Sequence, residues 1–599
     1  MFVRKTTHSD DKGRKYHTYK LVESLRTERG PRQRTVLNLG VDFPVPKEQW
    51  KELADRIEAI VVGQSSFLLV EEEMELLAQR YAKAVIAKQG QVLAQGEEEV
   101  VEVDYQRVDV NSIESETIRP VGGESVVLET IKCLGLDRKL EELGWNRTNV
   151  NAAMGVIAGR LLEPCSEKAT HEWLQGGSGL DELLESSFES LSQDRVYKVS
   201  DLLLRDKVGI EAHLEGRERT LFGLGETVLL YDLTNTYFEG SCKYNAKGHF
   251  GVSKEKRNDC ALMTLGLVLD GEGFAKRSEV FEGNVSEPGT LEGVLSKVGV
   301  GKNKPIVVGD AGIGTEKNIE WLNKEGFGYL VVSRKRVKEI PSGLEMVVVR
   351  EDNTRLIRAA SHRREGELEV YCHSSAKEIK EEGIKSRFEK RFEEALSQVQ
   401  NALSKKGGTK KYEKVVERIG RLKEKYRRVG RRYEIEVEKD EASKNAIALR
   451  WHMKERQDSV GYYVLRTNRT DLREKEVFDI FNMLLDVEDA FHSMKSELGL
   501  RPVHHQKERR CDGHLFITVL AYHVLQAIRV RLRRMGITHR WSTIRRILST
   551  QHRVTTSMRR EDGKMIYIRK TSKPEACHVA IYQALGLPNR PGKTIKTIA

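Results

Sequence analysis

No run among the 599 residues approaches the roughly 18 consecutive apolar residues that a membrane-spanning helix needs, and Met1 is followed by a polar, charged segment instead of a signal-peptide pattern. Neither a spanning segment nor a secretory leader is therefore expected, and a cytoplasmic protein is. Paired cysteines are missing as well. Cys133, Cys165, Cys242, Cys260, Cys372, Cys511 and Cys577 are scattered, odd in number and free of any CxxC spacing, which argues against a disulfide framework and a zinc knuckle. Internal repeats and extended low-complexity tracts are also lacking, so a repeat architecture is not expected.

Length and positive charge are what the chain has. A single core rarely supports so many residues, so three or more folded units are expected. Lys and Arg number 101 against 90 for Asp and Glu, a formal net charge of +11, which suits an anionic partner. With no spanning segment and no membrane partner expected, nucleic acid fits better, and with it a nucleoid-associated location in the cytoplasm.

Residues 1–45 carry two strand-like runs, Lys15 to Ser24 and Gln33 to Leu39, around the turn-like Thr27 to Pro31, and read as a basic β-hairpin region. Residues 46–120 read as a helical segment, around Trp50 to Ile60 and Glu71 to Gln89, followed by an acidic linker or edge strands. Residues 121–224 have helical apolar spacing and suit a DNA-contacting bundle. From residue 225 the texture changes to short apolar runs. Thr227 to Asp232, Ala261 to Leu269 and Phe274 to Phe281 predict an antiparallel meander, turning at Asp270-Gly271-Glu272-Gly273. A helix, the strand Pro305 to Asp310, another helix and the strand Tyr329 to Ser333 follow. That order matches a ribonuclease H-like core with a mixed five-stranded sheet, its first part over 225–335 and its last over 471–528. A β-plus-helical insertion, 336–470, interrupts it with strands at Val347 to Ile357 and Glu367 to Cys372 and a charged helical pair from Ala376 to Arg432. Residues 529–599 form a basic C-terminal region whose arginines, ten of them from Arg529 to Arg560, suit phosphate contacts. The fold class expected is thus multidomain α/β.

Asp232 and Asp310 each end an apolar strand. A single aspartate there is more often a turn or cap residue, but two on the expected central strands suggest a shared site, because a carboxylate on such a rim is costly unless paired or metal-bound. Leu484, Val487, Phe491, Met494 and Leu498 mark the buried stripe of a helix, with Glu488 at its border and His492 and Lys495 further along the same edge. Three carboxylates suit phosphodiester chemistry, since hard divalent cations take oxygen ligands and two ions about 3.5–4 Å apart serve the attacking and leaving oxygens. Lys495 is placed to hold a phosphate. Ser253, Lys254, Arg257, Arg501 and His504 are candidate DNA contacts, with plain surface as the alternative. Because adjacent side chains diverge, His504 and His505 read as DNA contact or surface and not as a metal site.

Five blocks carry a family resemblance: Tyr231 to Phe238 (YDLTNTYF), Gly251 to Asp259 (GVSKEKRND), Phe281 to Asn284 (FEGN), Val308 to Gly312 (VGDAG), and Val487 to Leu498 (VEDAFHSMKSEL) followed by Arg501-Pro502-Val503. Together, over roughly residues 225 to 525, they resemble DDE transposases of the insertion sequence four superfamily. The resemblance implies that Asp232, Asp310 and Glu488 bind two Mg2+ ions, with Mn2+ able to substitute. It implies cleavage of double-stranded DNA at terminal inverted repeats, strand transfer into target DNA without a covalent protein intermediate, and a dimer or higher oligomer on DNA. In that superfamily's tyrosine, arginine, glutamate, lysine signature the first two places hold Phe481 and Leu484 here, so only Glu488 and Lys495 carry over. The competing readings are a transposase-derived DNA-binding protein that no longer cuts and a structure-selective nuclease of the same fold.

Overall fold

The computed structural model describes residues 2–9, 15–27, 30–40, 43, 45–62, 74, 77–78, 81–82, 104–225, 227–252, 257–299, 304–335, 337, 340–341, 343–352, 355–364, 366–454 and 459–599. The chain forms two compact units.

Met1–Glu218, Met494–Leu500 and Arg509–Ala599 make the first unit. Strands β1 (Phe2–Ser9), β2 (Lys15–Thr27) and β3 (Gly30–Gly40) form an antiparallel sheet in that order. The hairpin read from the sequence is β2 and β3, and β1 is an addition to it. Val3, Leu21, Val36 and Leu39 bury against Leu53, Ala54 and Ile57 of the helix Trp50–Val62. Most of the expected helix Glu71 to Gln89 lies outside the described residues. Strand β4 (Val108–Pro120) falls where a linker was expected to end. Its side chains are mostly exposed and polar, so it carries no alternating apolar signal, and only its ladder to a distant strand makes it visible.

Helices follow, among them Arg147–Leu162, which is buried nearly all round and starts where Asn146 Oδ1 accepts the Asn149 N–H at 2.9 Å. Among the described residues, the helix Glu508–Arg534 is long and apolar enough to cross a bilayer, but 89% of its most apolar window is buried inside the protein.

Arg219–Ser493 and Arg501–Glu508 make the second unit. Its meander is β5 (Val228–Tyr237), β6 (Leu262–Asp270) and β7 (Ala275–Glu282), each antiparallel to the last. Next come β8 (Ile306–Gly309) and β9 (Gly328–Val332), with β8 parallel to both β5 and β9. Parallel neighbours need crossovers, and here these carry the helices Leu291–Leu295 and Glu316–Lys324. Leu291, Val294, Leu295, Ile319 and Leu322 of those helices bury with Leu229, Tyr231, Leu233, Val307 and Val331 of the strands. The sheet does not stop there. Strands β10 (Val347–Asp352), β11 (Arg355–Arg364), β12 (Glu367–Ser374) and, later in the chain, β15 (Tyr462–Thr467) continue it, giving nine strands in the order β10-β11-β12-β15-β9-β8-β5-β6-β7.

Between β12 and β15 lie the helices Ser375–Ser404 and Tyr412–Lys425, which correspond to the expected charged helical pair. With them is the hairpin β13 (Tyr433–Lys439) and β14 (Ala446–Met453), which the sequence reading did not resolve, and β15 (Tyr462–Thr467) closes the excursion.

The rest of the first unit completes the β4 sheet. Strands β16 (His552–Arg560), β17 (Met565–Thr571) and β18 (Ile595–Ile598) give the order β18-β17-β16-β4. Arginines expected to meet phosphates are partly spent inside it. Arg553 is 1% exposed and donates to Glu182 Oε2 at 2.7 Å, to the Pro591 carbonyl at 3.2 Å and to the Lys593 carbonyl at 2.8 Å. Arg533, Arg534, Arg540 and Arg546 remain exposed.

Candidate active site

Side chains alternate across a strand, so the burial of Leu229, Tyr231 and Leu233 on one face of β5 sends Asp232 to the other. On β8, Val307 shares that buried face, which places Val308 and then Asp310 on the Asp232 side. The parallel register pairs Val228 with Ile306, Leu229 with Val307 and Leu230 with Val308. β8 ends at Gly309, so Asp310 opens the turn just past the strand, while Asp232 lies within β5; each is two residues beyond the last pair, Leu230 with Val308.

Both carboxylates are half-buried and held by backbone. Asp232 Oδ1 accepts the Leu233 N–H at 2.7 Å, and Asp310 Oδ1 accepts those of Gly312 at 2.7 Å and Ile313 at 3.3 Å. Arg334 pins the Asp310 turn from outside, donating to the carbonyls of Ala311 at 2.6 Å and Gly312 at 2.8 Å.

A third carboxylate reaches this turn that sequence reasoning missed. A Cβ on Gly312 would stand 2.0 Å from Glu287 Oε2 and 2.8 Å from Asp310 Oδ1. Glu287 opens a short 3-10 turn ahead of the helix Leu291–Leu295. Its carbonyl accepts from the Thr290 hydroxyl at 2.7 Å, and Thr290 Oγ1 accepts from the Tyr231 hydroxyl at 2.8 Å. Burial, and with it the charges of Asp232, Glu287 and Glu279, pushes the Tyr231 phenol well above its usual range despite that hydrogen bond. The sequence held a weak signal for Glu287 at most, since one acid before Pro288 reads as an ordinary helix start.

Glu488 sits on the helix Leu484–Ser496, whose Val487, Ala490, Phe491 and Met494 are buried while Glu488 and His492 are exposed. Before this helix, Met483 Sδ lies 3.8 Å from where a Gly271 Cβ would be, next to Val228 at the start of β5. After it, Val503 pairs with Phe238 past the far end of β5, donating to the Tyr237 carbonyl and accepting from the Glu239 N–H, each at 2.9 Å. Lys495, two turns beyond Glu488, is half-buried.

Arg257 and Arg501 both approach the Tyr237 ring, at 4.5 and 6.0 Å from its centroid, and Arg257 also holds Asp259 through two hydrogen bonds of 2.8 and 2.9 Å. His504 is exposed beside Val503. Ser253 and Lys254 lie outside the described residues.

A family model described as "Transposase DDE domain" matches residues 223–524, just over half of the chain. The chain belongs to the DDE transposases. Residues 3–60 of the transposase match a second model, "IS1634 family transposase, N-terminal domain". That match corrects the insertion sequence four superfamily expected from the five blocks, since the N-terminal segment is similar to the N-terminal domain of the IS1634 family. All five blocks lie within the segment matched by the DDE model, and the N-terminal match lies outside them. None of the curated proteins compared matches the chain. The transposase is an enzyme that cleaves DNA with the help of metal ions and transfers the cut strands, so it acts on DNA.

Proposed function

We propose that Asp232, Asp310 and Glu488 are the metal-holding acids of this transposase, carried by a ribonuclease H-like core made of β5 to β9. The observation that supports the reading is the parallel pairing of β5 with β8, which ends at Leu230 and Val308, two residues before each aspartate, inside the segment matched by the DDE family model. The donor set fits hard divalent cations, because carboxylate oxygens on neighbouring strands, with Asp310 Oδ1 oriented by two N–H groups, are the ligands Mg2+ prefers. Two Mg2+ ions, or Mn2+ in their place, would activate the attacking oxygen and stabilise the leaving one.

The protein's own part is positioning. Backbone N–H groups hold the Asp232 and Asp310 carboxylates, and Arg334 keeps the Asp310 turn closed. Glu488, exposed on the helix Leu484–Ser496, is proposed to complete the set. Lys495, Arg257, Arg501 and His504 are proposed to grip phosphates near the acids. The DNA would be the terminal inverted repeats and a target duplex. Joining two ends calls for at least a dimer on DNA, and the nucleoid is the expected location.

The test is cleavage of DNA bearing the inverted repeats that border the gene, with Mg2+ or with EDTA, by the wild type and by Glu488→Gln. The expected result is metal-dependent cutting at the repeat ends that the variant loses by about a thousandfold or more while still binding DNA. A variant that cuts at the wild-type rate would remove Glu488 from the site.

A further inference from the structure

We propose that the segment Arg533 to Arg546 of the first unit is a docking surface for the phosphate backbone of duplex DNA, held by Arg533, Arg540 and Arg546. The proposal goes beyond the active-site reading and does not depend on it, since none of these residues belongs to the second unit.

The first support is how the fold sorts its arginines. The sequence has no Asp or Glu between Asp512 and Glu561, so a cation in that stretch meets an acid only where folding brings one from outside it. Arg529 meets Glu497 and Arg553 meets Glu182, each at 2.7 Å, and Arg531 donates to the Leu585 carbonyl. Among the described residues, Arg533, Arg540 and Arg546 have no ion-pair partner, and all three are exposed. Uncompensated positive charges gathered in one short segment attract an anion. The phosphates of a duplex offer negative charge at regular intervals to guanidinium groups, and the chain already acts on DNA.

The second support is that these arginines stand on a fixed mount, and one of them breaks a local rule. The helix Glu508–Arg534 ends in a tight turn, where the Ile537 N–H donates to the Leu532 carbonyl and the Gly536 N–H to that of Arg533, each at 2.9 Å. The next helix, Trp541–Leu548, buries Trp541, Ile544 and Leu548, and the Trp541 indole N–H donates to the Leu161 carbonyl at 2.8 Å. Its opposite edge, Ser542, Arg546 and Ser549, is exposed. Arg540 occupies the N-cap of this helix and makes no side-chain cap hydrogen bond. A Ser, Thr, Asp or Asn there would stabilise the helix start by about 1 kcal/mol, whereas a cation opposes the helix dipole. A residue that costs its own helix and gains nothing within the fold is explained by a partner outside it.

The test is fluorescence anisotropy of the full-length protein with two labelled duplexes of equal length, one carrying the inverted repeats that border the gene and one unrelated in sequence. A salt series with EDTA present keeps the measurement apart from cutting and from any bound metal. Arg533→Gln, Arg540→Gln and Arg546→Gln combined should weaken binding to both duplexes about tenfold or more. The slope of log affinity against log salt should fall by roughly 2 to 3. The matching triple change to Lys, which keeps the charges, should retain the wild-type slope. A Gln triple with the wild-type slope would overturn the proposal. So would an equal drop from Lys380→Gln, Arg387→Gln and Lys390→Gln combined, exposed on the helix Ser375–Ser404, because overall charge would then account for the loss. Should the Gln triple melt early, the three single changes are measured, and wild-type slopes in all of them would equally overturn it.

Discussion

The two units bring charged side chains together in opposite ways. In the second unit, carboxylate oxygens of both Asp310 and Glu287 crowd the place a Gly312 Cβ would take, and Asp232 and Asp310 each lie two residues past the last β5–β8 pair. In the first unit, Glu182 is gripped by Arg553 and Arg569, and the carbonyls of Pro591 and Lys593 take the remaining N–H groups of Arg553. Burial would raise the Glu182 carboxyl, but hydrogen bonds from Arg569 and Arg553 outweigh it and hold the group below its usual range. Opposite charges that neutralise one another serve the fold. Acids gathered near a strand end are the arrangement that the proposed metal site uses.

The sharpest way to break this contrast is to cut the neutralised cluster. Arg553→Met leaves Glu182 with one guanidinium and takes the arginine's N–H groups from the carbonyls of Lys593 and Pro591, of which Pro591 keeps the Thr571 hydroxyl, and should cost the first unit about 3 kcal/mol. The measurement is the calorimetric melting of the whole transposase, in which the transition of the first unit should fall. Melting like the wild type would show that the buried arginine is not structural and would reopen its assignment to DNA.

That arginine also shows where legibility in the sequence ended. Density of Arg from Arg529 to Arg560 was readable, but partners were not, because Glu182 lies far away in the chain and only the folded sheet brings it to Arg553. Strand β4 was hidden for a related reason, since it is held by its ladder to β16 and buries little. The catalytic sheet was far more legible. A buried parallel strand must be a continuous apolar run, so Val228 to Tyr231 and Ile306 to Gly309 announced themselves, and the aspartates at their ends stood out. Register is not written in one dimension, so the parallel pairing of β5 with β8 and the arrival of Glu287 beside Gly312 had to come from the structure.

A third arrangement sharpens the contrast, because one acid in the first unit is accommodated by its own proton. Glu124 is 3% exposed, accepts from the Ser178 hydroxyl at 3.0 Å, and is pushed by burial up to about 7. Its ordinary value is 4.5, so between that pH and about 7 the folded state keeps a proton that the unfolded state has lost. Stability therefore falls as pH rises through this window, by up to ~3 kcal/mol. Glu124→Gln should flatten that part of the melting-temperature profile and melt higher than the wild type at pH 8. Unchanged curvature in the variant would mean that Glu124 is already ionised in the fold.

The smallest expected effect concerns how the second unit positions its acids with neutral groups. Tyr231→Phe removes the hydrogen bond to Thr290 Oγ1 but leaves the Thr290 hydroxyl donating to the Glu287 carbonyl. A net loss of about 1 kcal/mol in the melting of the second unit follows from one buried hydrogen bond. The charge contrast then makes a finer claim about Mn2+ binding. If Asp232 is held mainly by the backbone N–H of Leu233, affinity in Tyr231→Phe should stay within about threefold of the wild type, a change of under about 1 kcal/mol. A loss of about tenfold or more would instead show that the neighbouring phenol helps to keep that acid at the proposed metal site.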